Sequence, residues 1–72
     1  MDDHIIAGRL AALRRAAGLS QNDLANRAGV KIATLQKLES GVNRVMGAKL
    51  ETVLALTRAL DTTIEALTEG IQ

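Results

Sequence analysis

Apolar residues recur along this chain at helical spacing in blocks separated by short punctuating stretches. Ile6, Leu10, Leu13 and Ala17 fall at i, i+4, i+7 and i+11, one face of an amphipathic helix that Asp2 or Asp3 can cap and Gly18 ends. Arg9 and Arg15 are expected on its outer side. Leu24, Ala25 and Ala28 line one side of a second, shorter helix, and Leu35 and Leu38 give a third a narrow apolar stripe. Leu50, Val53, Leu54, Thr57 and Leu60 predict a fourth helix over about residues 48–60. Asp61 occupies a turn whose left-handed backbone aspartate tolerates. Thr63 then caps a short fifth helix with Ile64 and Leu67 on its apolar side, ending by Gly70.

Residues 20–41, SQNDLANRAGVKIATLQKLESG, carry the densest set of local signals. Ser20 and Asp23 stand three apart and form a capping box, with Leu19 and Leu24 placed as a hydrophobic staple around it. Gly29 supplies a positive φ, so the chain turns sharply at Ala28-Gly29-Val30 and a new helix begins almost at once. Val30 and Leu35 repeat the staple around a cap at Lys31. Lysine is a poor cap: it offers the free N–H groups no acceptor and sets a cation at the positive end of the helix dipole, costing about 1 kcal/mol. Taken alone, Lys31 reads as one more solvated surface residue. A broken local rule at the start of an exposed helix is also what a functional site shows.

Composition narrows the class. Seventy-two residues allow one domain with one small core, and with 47% apolar residues but no Phe, Trp or Tyr that core is aliphatic. The same absence removes stacking platforms for single-stranded nucleic acid or RNA loops. There is no cysteine, and His4 is the only histidine, so no thiol nucleophile, disulfide or zinc site is expected. No acid/base pair has a recognisable partner and no glycine-rich phosphate loop is present, which leaves an enzyme with almost no support and implies no cofactor. Neither a signal peptide nor an apolar run of membrane-spanning length is seen, so a cytoplasmic location is expected. Net charge is only +1, but its distribution is lopsided. Between Arg9 and Lys49 eight basic residues face only Asp23 and Glu39, whereas beyond Leu50 Arg58 faces Glu51, Asp61, Glu65 and Glu69. Such a split suits one face to a polyanion, although charge also segregates by chance in so short a chain.

Gln21, Leu24, Ala25, Gly29, Val30, Thr34, Leu38, Glu39 and Gly41, at these spacings, resemble the helix-turn-helix of the lambda-repressor-like (XRE type) DNA-binding domains. The resemblance runs from about Ile6 to Leu67. It implies an all-α, compact five-helix domain over residues 1–72, with the helix-turn-helix unit at 20–41, in a prokaryotic or phage protein of the nucleoid. Two departures stand out: Asp61 replaces the family's usual glycine, and the connection through residues 42–48 is longer than usual and lacks proline. Val45 or Met46 from that connection is expected in the core.

The resemblance also implies roles. Arg14 would pair with Glu39, tying the first helix to the end of the third, an architectural ion pair. The third helix would lie in the major groove of double-stranded DNA, with the second crossing the backbone. Gln21, Lys31, Thr34, Asn43, Arg44 and Lys49 would contact phosphates, setting position and affinity. Ile32, Ala33, Gln36 and Lys37 would face base edges: lysine suits guanine O6 and N7, glutamine suits adenine N6 and N7, and the apolar pair suits thymine methyl groups. With two apolar readers, discrimination per half-site is expected to be modest. A homodimeric transcriptional regulator, most simply a repressor on a palindromic operator, follows. The competing reading is an antitoxin or accessory module that holds a partner protein on the face opposite the DNA. Leu56, Ile64 and Ile71 are apolar beyond what so small a core needs, and either meet a second copy or complete the chain's own core.

Overall fold

The computed structural model describes residues 3–41 and 48–69. Five helices occupy them in the order α1 Asp3–Ala16, α2 Gln21–Ala28, α3 Ile32–Ser40, α4 Leu50–Ala59 and α5 Ile64–Thr68, with no strand among the described residues. Asp2, Val45, Met46 and Gly70 lie outside them, as do the candidate site residues Asn43, Arg44 and Ile71.

The local signals act where the spacing places them. Ser20 adopts an extended backbone and its hydroxyl accepts from Asp23 N–H at 3.0 Å, while the Asp23 carboxylate accepts from Ser20 N–H at 3.0 Å. Leu24 in the next turn is fully buried, so the cap and the packing of α2 are set together. The Asp23 carboxyl is held below its ordinary value, first by the Ser20 backbone N–H and then by the Ser20 side chain. A carboxyl depressed by folding stabilises the fold above the unfolded-chain value, about 3.9, and that contribution is lost as pH falls through the lower folded value. Ser20→Ala removes the hydroxyl that accepts from Asp23 N–H and should cost about 1 kcal/mol at pH 7. In urea titrations repeated down to pH 2 to 3, both proteins should lose stability as Asp23 protonates, because its carboxylate accepts from the backbone N–H of residue 20, which the substitution keeps, and most of the gap between them should persist.

α2 packs on α3 and α4, α1 packs on α3 and α5, and α4 meets α5. Ile6, Leu10, Leu24, Leu35, Leu38, Leu56 and Leu67 are fully buried where these helices meet. Each contributes about 1.5–3 kcal/mol by removal from water, and an all-aliphatic set suffices for five short helices. Thr57 is the one polar residue in this interior among the described residues, and its hydroxyl donates to Leu54 O at 3.0 Å.

The buried faces of α1 and α4 differ from the pattern. In α1 the buried seam is Ile6, Ala7, Leu10 and Ala11, while Ala17 lies beyond the helix end and is exposed. The two alanines let α1 approach its neighbours closely along adjacent rows, a seam wider than the single row first counted. In α4 the stripe is Val53, Leu56, Thr57 and Leu60, which leaves Leu50 at the first turn 65% exposed. Leu56, a candidate for contact with a second copy, is 1% exposed and belongs to the chain's own core. Ile64 is half-buried and packs against that core from the start of α5.

Arg9 also differs from its expected outward position. Its guanidinium crosses to the end of α5 and donates to the carbonyls of Leu67, at 3.2 Å, and Glu69. A cation at the C-terminal end of a helix satisfies carbonyls that lack helical partners and complements the dipole, so Arg9 joins the first helix to the last.

Candidate nucleic-acid interface

The α2–turn–α3 unit is rigid for identifiable reasons. Gly29 has φ 69° and ψ 28°, and the N–H of Val30 donates to Ala25 O at 3.0 Å, closing the end of α2 before α3 starts. Val30 is half-buried against the core, and Leu35, four residues past the Lys31 cap, is fully buried. Leu35 and Leu38 thus press one side of α3 into the bundle, and the opposite side has nowhere to go but outward.

That outward side holds Ala33, Gln36 and Lys37, all exposed, with Ser40 donating its hydroxyl to Lys37 O at 3.0 Å. Ile32 and Thr34 are only half-exposed, and Ile32 packs partly against the core, so its side chain is divided between interior and surface. Lys31 has the extended backbone of a cap but makes no side-chain cap hydrogen bond, so the first N–H groups of α3 stay open at the surface. An uncapped N-terminus beside a lysine is a natural place for an anionic oxygen. Lys49, exposed, holds the equivalent position before α4 and likewise makes no side-chain cap bond.

Behind α3 a part-buried polar cluster ties the unit to α1. Arg14 Nε donates to Glu39 Oε2 at 2.8 Å and Arg14 Nη2 to Glu39 Oε1 at 3.0 Å, a bidentate pair with side chains only 11% and 5% exposed. Arg14 Nη1 donates to Leu19 O at 2.9 Å, which fixes the chain just before the α2 cap. Gln21 in the first turn of α2 is half-buried, and its Nε2 donates to Glu39 Oε1 at 3.3 Å. Spacing alone did not reveal this last bond, because residues eighteen positions apart meet only once α2 and α3 are docked.

The end of α3 is closed by Gly41, with φ 80° and ψ 3°. A β-carbon added there would come within 3.0 Å of the His4 imidazole, whereas one added at Gly29 would meet nothing within 4 Å. Both positions penalise a side chain through their left-handed backbone. Thermal melts should show Gly41→Ala more destabilising than Gly29→Ala, because only the former must also shift the His4 side chain. Equal losses would mean that the ring moves aside freely.

The family model described as helix-turn-helix domain matches residues 5–69. The chain is a helix-turn-helix domain. The match spans all of α2 through α5 and nearly all of α1, consistent with the lambda-repressor-like type, so the helices around the 20–41 unit are part of the family's fold. Neither the curated proteins nor the solved structures compared with it give a match. No described helix of this helix-turn-helix domain is long and apolar enough to cross a membrane.

Proposed function

We propose that this helix-turn-helix domain is a sequence-specific transcriptional regulator that places α3 in the major groove of double-stranded DNA. The observation that carries this reading is the outward side of α3: Ala33, Gln36 and Lys37 stand exposed on a helix held by Leu35 and Leu38. Gln36 and Lys37 have the donors and acceptors to read base edges, and Ala33 suits a thymine methyl group. Ile32 contributes at most the exposed part of its side chain. Gln21, Lys31, Thr34 and Lys49, with Asn43 and Arg44 from the connection, hold the phosphates on either side.

One such unit covers only a few base pairs, so specific occupancy calls for a homodimer on an inverted repeat with half-site centres about 34 Å apart. The groove between α4 and α5 supports this: Leu54 and Ile64 give it apolar lining, with Arg58 and Glu65 of opposite charge beside them. A surface of mixed sign can pair with its own copy across a two-fold axis. Occupying an operator in this way makes repression the simplest outcome.

Lys37→Ala and Lys49→Ala separate base reading from backbone attraction. On a selected site and on a scrambled duplex of equal length, Lys37→Ala should weaken binding to the selected site by about tenfold and to the scrambled duplex far less. Lys49→Ala should weaken both alike and reduce the salt slope by about one. If Lys37→Ala acted equally on both duplexes, base reading by this residue would be wrong.

A further inference from the structure

We infer that Glu39 is a positioning residue for DNA binding, holding the Gln21 side-chain amide so that its remaining polar edge faces the phosphate. The inference rests on the proposed phosphate contact of Gln21 and gives that contact a mechanism. Three observations carry it.

Glu39 lies in the last turn of α3, the helix proposed to enter the groove, while Gln21 opens α2, the helix proposed to cross the backbone. Their side chains meet at 3.3 Å, so one carboxylate bridges the base-reading and backbone-crossing helices. The chemistry then fixes the amide's orientation. Only the amide nitrogen can donate to a carboxylate oxygen, and the reverse orientation would set two acceptors against each other. With one N–H held by Glu39, the second N–H is the donor left to reach an anionic oxygen, and the amide cannot flip to present its carbonyl to a phosphate.

The carboxylate is itself fixed. Arg14 binds both of its oxygens, at 2.8 and 3.0 Å, and Arg14 is anchored in turn to Leu19 O. Arg14 also neutralises the charge that would otherwise sit one side chain away from the DNA backbone. The pair thus does more than join α1 to α3: it sets the direction of a phosphate donor and removes the repulsion that a lone carboxylate there would cause. Register follows from the same bridge, because a shift of α3 relative to α2 would break the bond that orients Gln21.

A double-mutant cycle tests this with Glu39→Gln and Gln21→Ala on a selected duplex, each protein first checked for helical content and melting. Glu39→Gln keeps the side-chain shape but leaves a single neutral oxygen for three N–H donors, two from Arg14 and one from Gln21. It also leaves Arg14 unbalanced near the DNA, which strengthens non-specific attraction. The cycle cancels that effect because it is present in both backgrounds. With Gln21 in place, Glu39→Gln should weaken binding by roughly threefold to fivefold relative to its effect in the Gln21→Ala background. Equal effects in both backgrounds would overturn the positioning role.

Nitrogen–proton spectra of the wild-type side-chain amides provide a second measurement that does not depend on a variant folding. In the free protein Gln21 should show one amide proton held in a hydrogen bond, unlike exposed Gln36. On adding duplex its second proton should shift while the held one stays. A Gln21 amide as mobile as that of Gln36 would overturn the inference. If the wild type bound no duplex at all, the proposed function itself would fail; binding with an additive cycle would remove only the role given to Glu39.

Discussion

Arg14→Met should be the most damaging single change outside the apolar core, lowering stability by about 3 kcal/mol or more because it leaves a part-buried carboxylate without its partner. Glu39 keeps only the Gln21 bond, at 3.3 Å, and Leu19 O loses its donor as well. For a chain of this size each kcal/mol corresponds to roughly 4–8 °C, so a melt should shift by at least about 12 °C. The double change Arg14→Met with Glu39→Leu should recover much of the loss, since two apolar side chains of similar volume need no partner. That asymmetry distinguishes a specificity device from a net source of stability. A pair that contributed large net stabilisation would leave the double variant as unstable as the single one.

The second large effect concerns Leu56. Fully buried with Leu24, Leu35 and Leu67 in one cluster, it should cost about 2–5 kcal/mol when replaced by alanine. Denaturant titrations at protein concentrations a hundredfold apart should show the same loss, because the contacts removed lie within one chain. A loss that grew with protein concentration and shrank on dilution would instead place Leu56 between copies. The homodimer proposed above would use the α4–α5 groove, whose lining includes Leu54 and Ile64 but not Leu56.

Much of the α2–turn–α3 framework was legible because its determinants are local. The Ser20–Asp23 box, the turn at Gly29, the poor cap at Lys31 and the stop at Gly41 each act within one helical turn, and each appears where residue chemistry places it. Asp61 has φ 54°, the strained turn conformation that its type tolerates. What could not be read depends on how helices are arranged in space. Arg9 looked like any outward arginine because its acceptors, Leu67 and Glu69, lie about sixty residues away. Leu56 looked surplus because the stripe of α4 was counted from Leu50, one row away from the face that α2 and α5 cover. Ile32 looked like a clean surface reader, yet a helix start pressed against its neighbour buries part of its first residue. Periodicity counts faces but does not say how wide the covered face is.

Base reading by α3 is tested most directly by selecting bound duplexes from a random DNA pool at near-physiological salt and sequencing them, for the wild type and for the Gln36→Ala/Lys37→Ala protein. The wild type should enrich an inverted repeat with half-site centres about one helical turn apart, with guanine or adenine at the positions facing Lys37 and Gln36. The double variant should lose enrichment at those positions while still binding duplex through its phosphate contacts. Recovery of no motif by the wild type, with binding that disappears as salt rises, would leave only electrostatic attraction and contradict base reading by α3.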